Sequence, residues 1–268
     1  MAGARPQILV CTYHKSGTTL FDHVMTKIGA AFGLTVVTRY GLAQAIPPAP
    51  DIVLLAHSLI GALPARPYRG IRVVRDPRDL WVSAYLYHLR TDEGWCTNTD
   101  FDPTPPIAYP RIDYSTQHMP EDWKRAYLAR LGGRSYQENL RARDRDSGLA
   151  FELAGYTANT LAAMRAWRWS GPDLRDVRLE SSAADHDGTM RAILAHLGFA
   201  GAAVDEAVAL AGTEAIARMD DATLANRPQI HSRTLSKWRG FLTPPQVAAF
   251  EAAHGDLIDR LGYQRRVG

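Results

Sequence analysis

A short polar segment near the start of the chain contains the residue types that bind a phosphate or sulfate group. Residues 12–19 have the sequence TYHKSGTT, and they lie between an apolar run and a segment with helical periodicity. A turn that enters a helix presents several unpaired backbone N–H groups to one point, and the helix dipole favours an anion there. Gly17 permits a close approach of the backbone to an oxyanion, and Lys15 adds a positive charge. Hydroxyl donors are supplied by Ser16, Thr18 and Thr19.

A second group of anion-binding residue types follows a later apolar run. Arg75 stands at the end of a predicted strand, and Asp76-Pro77 is a typical start of a helix, which then contains Ser83. An arginine can hold a phosphate with two charge-assisted hydrogen bonds, and a nearby hydroxyl can complete the site. We therefore predict that Arg75 and Ser83 bind a second anionic group. Arg78, in the same helix, is predicted to be a solvated surface charge.

His57 is the candidate general base. It follows the apolar run at residues 52–55, so we expect it at the same sheet edge as the two anion-binding segments. Its imidazole is the side chain best suited to accept a proton near neutral pH. The chain has nine histidines, most of which we expect to be exposed or structural. His88 and His14 are the other candidates for this role.

These segments together resemble those of the sulfotransferases that use 3′-phosphoadenosine 5′-phosphosulfate (PAPS). The resemblance is to members with the cytosolic type of fold, and we expect this chain to be a bacterial-like member. The 5′-phosphosulfate loop of that family is usually TYPKSGTTW, and this chain has His14 in place of Pro and Leu20 in place of Trp. The family's 3′-phosphate segment has an Arg and, eight residues later, a Ser, which correspond to Arg75 and Ser83. The resemblance is strong over residues 7–90 and looser towards the C-terminus.

The resemblance implies further site residues. In the family a His after this strand is the catalytic base, which favours His57, although the Lys that often precedes it is absent here. Residues 231–239, HSRTLSKWR, resemble the family's RKGxxGxWK segment, which holds the 3′-phosphate, and Arg233 is the residue predicted to supply the charge. A family Tyr that stacks on adenine stands eleven residues before a Trp, a spacing that Tyr156 and Trp167 share.

The implied activity is the transfer of a sulfuryl group from PAPS to a hydroxyl or amine of a small molecule, leaving 3′-phosphoadenosine 5′-phosphate (PAP). His57 is expected to take the acceptor's proton, while Lys15 and the loop amides stabilise the charge on the phosphosulfate. Arg75 and Ser83 are expected to anchor the cofactor, and no metal is expected. Four aromatic residues in the middle of the chain fit a cover over an aromatic or apolar acceptor and fit surface packing equally well: Trp95, Tyr109, Tyr114 and Trp123.

Two alternatives belong to other functional classes. A small-molecule kinase with a P-loop would need a Walker Gly-Lys-Ser/Thr, but here Lys15 precedes Gly17, with Ser16 between them. A non-catalytic protein that binds a nucleotide or a sulfated ligand would keep the anion sites and need no base.

The alternation of short apolar runs with helical periods predicts an α/β fold, with a central parallel sheet flanked by helices as in the P-loop NTPases. We predict a single domain, residues 1–268, with a Pro-rich and charged insertion or lid at about 91–150 that includes a helix near residues 122–131. The predicted strands are Ile8–Cys11, Val36–Thr38, Asp51–His57, Ile71–Arg75 and Val177–Glu180. A helix is predicted at Thr157–Trp169, and a capping box of Thr243 and Gln246 predicts the start of the last one.

Composition excludes several classes of protein. With 46% hydrophobic and 22% charged residues the chain is typical of globular proteins, and its net charge of +3 does not favour a nucleic-acid partner. No apolar run approaches the roughly 20 residues needed to span a bilayer. Cys11 and Cys96 form neither a disulfide framework nor a zinc-ligand spacing, so a cytoplasmic setting is predicted. The sequence predicts no particular oligomeric state.

Overall fold

A five-stranded parallel sheet with helices packed against it forms the centre of an α/β structure. The computed structural model describes residues 5–97, 99, 129–227, 229–230 and 233–266. These residues belong to two compact units, the first from Met1–Arg75 and Ala166–Ala225, the second from Asp76–Arg165 and Asn226–Gly268. The predicted fold class, α/β with a central parallel sheet flanked by helices, is confirmed.

The sheet lies in the first unit, and two of its inner strands, β1 and β4, are buried along their whole length. The strands are β1 (Gln7–Cys11), β2 (Val36–Arg39), β3 (Leu42–Ala43), β4 (Ile52–Leu55), β5 (Leu59–Ile60), β6 (Tyr68–Val74) and β7 (Leu174–Arg178). Their order in the larger sheet is β2-β4-β1-β6-β7, every pairing is parallel, and β3 and β5 form a separate pair. Every residue of β1 and β4 is buried, as expected for strands that are covered on both faces.

The helices are distributed over both units. In chain order they are α1 (Thr18–Phe32), α2 (Pro77–His88), α3 (Gly94–Thr97), α4 (Tyr136–Arg141), α5 (Arg145–Glu152), α6 (Ala158–Ala166), α7 (Leu179–Ala184), α8 (His186–His196), α9 (Ala202–Gly212), α10 (Asp221–Ala225), α11 (Trp238–Phe241) and α12 (Pro244–Arg260). A π-helical turn, Leu153–Thr157, precedes α6, and a 3-10 turn, Ile216–Arg218, precedes α10.

The first unit is held together by one large apolar core on the α1 side of the sheet. Phe21, Val24, Met25 and Ile28 form the buried face of α1, and they belong to the same core as residues of β1, β4, α8 and α9. Gly33 ends α1 in the left-handed conformation, with φ of 65°, which a residue without Cβ adopts at little cost. This packing fixes the start of α1, where the polar segment 12–19 enters it.

The last strand of the sheet lies earlier in the chain than predicted. β7 spans Leu174–Arg178, whereas the prediction was Val177–Glu180, and Leu179 already begins α7. Within this edge strand only Leu174 and Val177 are buried. Its apolar pattern is therefore too weak to define its ends.

Part of the predicted insertion at 91–150 is regular structure of the second unit. Helices α4 and α5 both begin with side-chain caps, a capping box of Ser135 with Glu138 and an N-cap at Asp144. Leu140 and Leu149 on these helices are fully buried. The predicted insertion therefore contains two helices that the sequence did not indicate, while most of the helix predicted near 122–131 lies outside the described residues.

The C-terminal helix α12 is the element that the sequence predicted best. Thr243 and Gln246 form the predicted capping box, with each side chain bonded to the other residue's backbone N–H. Leu242 and Val247, which flank it, are buried. The helix predicted at Thr157–Trp169 is α6, which is shorter at its C-terminal end. Within the described part of the chain, no helix is long and apolar enough to cross a membrane.

Candidate functional site

Three of the predicted site segments follow adjacent parallel strands of the first unit. The Lys15 segment follows β1, His57 follows β4 and Arg75 follows β6. The strand pairing aligns their ends, because Cys11 lies opposite Leu55 on one side and opposite Arg72 on the other. The carboxyl edge of an open parallel sheet is where ligands of such folds bind. The fold thus brings the candidate base and both candidate anion-binding segments to one edge.

The phosphate-type loop is closed by hydrogen bonds between its own residues. The buried Ser16 hydroxyl donates to the Tyr13 carbonyl (2.9 Å) and accepts from the Tyr13 N–H (2.6 Å). The hydroxyls of Thr12 and Thr18 share a further hydrogen bond of 2.8 Å. The Ser16 hydroxyl, which the sequence predicted as a ligand donor, is therefore already engaged in maintaining the loop.

The backbone of the loop turns sharply before α1. Lys15 and Gly17 both have positive φ, 60° and 99°. Gly17 is the N-cap of α1 and is followed by Thr18 and Thr19, so the first backbone N–H groups of the helix belong to the predicted anion-binding residues. A Cβ on Gly17 would lie 2.9 Å from the Leu179 Cδ1 atom. Only glycine fits this position without displacing its neighbours.

Arg75 contacts the loop directly. Its Nη1 donates a 2.7 Å hydrogen bond to the carbonyl oxygen of Lys15, and the arginine is only 4% exposed. The two residues that the sequence predicted to hold opposite ends of one nucleotide are therefore neighbours in space. No sequence pattern indicated this bond, because a contact with a backbone carbonyl leaves no signature in residue type.

His57 lies in the turn after β4 and is partly buried. Burial lowers the pKa of His57 to about 4, because the charged imidazolium loses solvation. The ring of Tyr40 lies edge-on to it, with 6.1 Å between ring centroids. The imidazole is therefore neutral at pH 7, the form that a general base must have. The sequence did not single out Tyr40, which follows β2 at the same sheet edge.

A packed cluster supports the loop from the other face of the sheet. Tyr13 is fully buried, which raises the pKa of its hydroxyl above the ordinary value, an effect that the nearby Arg72 opposes. Arg72 pairs with Asp176 across β6 and β7, with 2.8 Å between Nε and Oδ1, and its guanidinium lies 5.0 Å from the Trp167 ring centroid. The Trp167 of the predicted Tyr–Trp spacing thus covers an ion pair beside the loop.

The remaining predicted cofactor residues belong to the second unit. Ser83 is buried within α2, and Arg233 is exposed. Tyr156 is buried in an aromatic cluster, with its ring centroid 4.6 Å from that of Trp95 and 5.1 Å from that of His88. Its role as an adenine partner stays a prediction. Residues 231–232 of the predicted basic segment, and Tyr109, Tyr114 and Trp123 of the predicted acceptor cover, lie outside the described residues.

His88, an alternative candidate for the base, is fully buried in a hydrogen-bonded cluster. Its Nδ1 lies 2.7 Å from the Glu152 Oε2 atom. The Glu152 carboxylate also accepts hydrogen bonds from the Tyr136 hydroxyl (3.0 Å) and the Thr157 hydroxyl (2.8 Å). An imidazole held in this way ties α2 to the segment around the π-helical turn. His88 is therefore enclosed within the second unit, whereas His57 is partly exposed after β4.

The prediction that Arg78 is a solvated surface charge is wrong. Arg78 is 1% exposed, and its guanidinium donates to Asp76 (2.8 and 2.9 Å), to Glu251 and to the carbonyl of Gln264 (2.8 Å). The ring of Trp238 lies 3.9 Å from its guanidinium carbon. Partners distant in sequence, Glu251 and Gln264, neutralise and cover this charge, and a local pattern cannot indicate them.

The described residues contain no group of three or more His, Cys, Asp or Glu side chains that could hold a metal ion. Cys11 and Cys96 are both buried free thiols. Burial raises the pKa of Cys11 to about 12, so this thiol is neutral and unreactive as a nucleophile.

No protein-family model matches the chain, and no curated protein matches it. Among solved structures, it is similar to the mouse sulfotransferase SULT7A1 complexed with PAP. The identity is 14% and the TM-score 0.49, over 96% of this chain and 84% of that chain. At this identity and TM-score the similarity assigns no activity to the chain.

Proposed function

We propose that the chain is a sulfotransferase that uses PAPS and modifies a hydroxyl or amine of a small molecule. The observation that carries the proposal is the 2.7 Å hydrogen bond from Arg75 to the Lys15 carbonyl. A nucleotide with phosphates at both its 5′ and 3′ positions needs two cationic groups close together, each with its own hydrogen-bond donors. The loop motif of residues 12–19 and the Arg75 segment are in contact through this bond, and that contact supports the proposal.

The donor set of the first unit fits such a cofactor. Lys15, the backbone N–H groups at the start of α1, among them that of Thr18, and the hydroxyl of Thr19 suit the phosphosulfate, since each favours an anion. The Thr18 hydroxyl, like that of Ser16, is bonded within the loop. Gly17, with φ of 99°, lets the backbone turn into α1 beside Leu179, so that the first amides of the helix follow directly after Lys15 and Ser16. Arg75 adds a fork of donors that suits a phosphate.

Each residue then has a defined task. When bound, PAPS supplies the sulfuryl group, whose bond to the 5′-phosphate oxygen breaks as the acceptor forms its bond to sulfur. His57, neutral at pH 7, accepts the proton that the acceptor loses. Lys15 and the amides of α1 stabilise the negative charge that develops on the departing phosphate oxygen. Arg75 keeps the adenosine end in place, so that orientation contributes to the rate.

Ser83, Arg233 and Tyr156 are proposed as further cofactor-binding residues on the sequence resemblance alone. An aromatic or apolar small molecule remains the proposed class of acceptor, and a metal ion is not part of the proposed chemistry. The free thiols of Cys11 and Cys96 are consistent with the proposed cytoplasmic setting.

Binding of PAP tests the cofactor part of the proposal. Calorimetry should show PAP binding to the wild-type protein more tightly than ATP with Mg²⁺. Lys15→Ala and Arg75→Ala should each weaken PAP binding about 10- to 100-fold, the worth of a charge-assisted hydrogen bond. Arg191→Ala, which removes an exposed cation that pairs with Asp205, is the control and should leave binding unchanged. Tighter binding of ATP with Mg²⁺ would favour a kinase instead.

Transfer of label tests the catalytic part. Labelled PAPS incubated with a panel of phenols, alcohols and amines should yield a labelled product with the wild-type protein. His57→Gln should abolish product formation yet leave the affinity for PAP within about 3-fold, because the base has no part in binding the nucleotide. Rates within a few-fold of the wild type would assign the base to another residue.

A further inference from the structure

Ser58, directly after the candidate base, forms a buried contact with the phosphate-type loop. Its hydroxyl donates a 2.7 Å hydrogen bond to the carbonyl oxygen of Thr12, the first residue of that loop. Ser58 is 3% exposed and Thr12 is fully buried. A hydrogen bond between two buried groups is well protected from competition by water.

This hydrogen bond extends the pairing of β1 and β4 beyond the ends of the strands. The Thr12 N–H donates to the Leu55 carbonyl at 2.9 Å, as in a regular parallel ladder. In such a ladder the next donor, to the Thr12 carbonyl, would be the backbone N–H of residue 57. The Ser58 hydroxyl supplies that bond instead, so the chain leaves the sheet at His57 while the Thr12 carbonyl remains satisfied.

The backbone at Ser58 is in an uncommon conformation. Its φ is 54°, in the left-handed region that residues with a Cβ rarely adopt. Lys15, in the loop on the other side of the bond, also has positive φ, 60°. Unfavourable conformations persist where surrounding contacts enforce them, and they cluster at functional sites. Two hydrogen bonds accompany this conformation at Ser58, one from its hydroxyl to the Thr12 carbonyl and one from its N–H to the Leu55 carbonyl at 3.4 Å.

We propose that Ser58 is a positioning residue that holds the His57 imidazole at a fixed distance from the loop that contains Lys15. The inference rests on the proposed function, because it matters only if the loop binds the phosphosulfate and His57 is the base. Sulfuryl transfer needs the base and the loop in one geometry, and a displacement of about 1 Å can cost roughly 100-fold in rate. The sequence gives no sign of this role, since a serine after a strand is an ordinary turn residue.

The test measures how much the pKa of the His57 imidazole changes when an anion binds in the loop. An anion bound in the loop should raise the pKa of His57, because it favours the charged imidazolium, and the size of that rise reports their separation. NMR titration of the His57 ring, with and without PAP, gives this rise for the wild type, Ser58→Ala and Ser58→Gly. Ser58→Gly should preserve the backbone conformation at this position, since glycine adopts positive φ freely.

We expect both variants to lose at least half of the PAP-induced rise and to show a His57 pKa in the free protein that moves towards the ordinary value of about 6.5. Their affinity for PAP should stay within about 3-fold, since the cationic groups that bind PAP are intact. Ser182→Ala is the matched control: it removes another buried hydroxyl of the first unit, one bonded to His186, and should behave like the wild type.

Two results separate failure of this inference from failure of the proposed function. If the wild-type protein does not bind PAP, the proposed function is contradicted. The His57 pKa of the Ser58 variants without PAP still tests whether Ser58 positions the imidazole. Variants whose His57 pKa equals that of the wild type, free and with PAP, would overturn the positioning role even if PAP binds tightly.

Discussion

At the scale of single residues, the environment of His57 has the most direct chemical consequence. Burial lowers the pKa of His57, so its imidazole is neutral and can accept a proton throughout the neutral range. A base with a pKa of about 4 is weak, however, and proton transfer to it is most effective when its pKa is closer to the working pH. An anionic cofactor beside it would raise the pKa in that direction.

The lowered pKa also predicts how stability depends on pH. The folded state binds a proton at His57 less readily than the unfolded state, where the pKa is 6.5, so this group stabilises the fold above pH 6.5 and the contribution is lost as the pH falls towards 4. Between pH 7 and pH 5 the free energy of unfolding should fall by about 2 kcal/mol from this residue. Denaturant titrations of the wild type and His57→Gln at both pH values measure it.

In His57→Gln the fall in unfolding free energy that His57 causes between pH 7 and pH 5 should be missing. The pH dependence caused by other groups should remain. Equal falls in the unfolding free energy of the two proteins would show that the His57 pKa is close to its unfolded value.

At the scale of elements, the junction between the loop and α1 depends on Gly17. Its φ of 99° is unfavourable for any residue with a Cβ, and that Cβ would contact the Leu179 side chain. A side chain at position 17 would therefore strain and displace the backbone at the start of α1. The N–H groups of this backbone are the ones proposed to hold the phosphosulfate.

Gly17→Ala should weaken PAP binding at least about 10-fold, because the amides at the start of the helix move away from the anion. Gly33→Ala is a matched control at the other end of the same helix, with φ of 65° and no atom within 4 Å of the added Cβ. It should destabilise the protein by about 1 kcal/mol, the cost of the left-handed conformation, and leave PAP binding unchanged. Equal PAP affinities for both variants would remove Gly17 from the site.

In the second unit, the start of α2 depends on Arg78. Arg78 forms ion pairs with Asp76, the N-cap residue of α2, and with Glu251 of α12, so its guanidinium connects these two helices. Arg78→Met should lower the free energy of unfolding by about 3–5 kcal/mol, because it leaves buried carboxylates without their cation. Arg145→Met, at an exposed pair with Asp146, should cost less than about 1 kcal/mol.

Denaturant titration at pH 7 compares the two variants. A loss of stability in Arg78→Met no larger than that of Arg145→Met would indicate that the carboxylates find other partners.

At the scale of the whole molecule, the sequence predicted what depends on short segments. The strand β4 is an uninterrupted apolar run, β1 and β6 each contain one of at least two apolar residues, and the motifs that follow them are contiguous, so the sheet edge could be predicted. The capping box of α12 was likewise a local signal. These features needed no knowledge of contacts between distant residues.

Features that depend on distant contacts were missed. The burial of Arg78 requires Glu251 and Gln264, the support of the loop requires Arg72 with Asp176, and the link from Ser58 to Thr12 joins residues 46 positions apart. The edge strand β7 was misplaced because only two of its five residues, Leu174 and Val177, are apolar and buried, and they do not share a face. Helices α4 and α5 were missed since their charged residues suggested an exposed insertion.

The central claim is that Lys15 and Arg75 hold opposite ends of one adenosine bisphosphate, and a crystal structure of the protein with PAP tests it most directly. We expect a 5′-phosphate within about 3 Å of the Lys15 ammonium and the α1 amides, and a 3′-phosphate within about 3 Å of the Arg75 guanidinium. PAP bound with both side chains on one phosphate, or bound away from both, would show that the two residues do not hold opposite ends of the nucleotide.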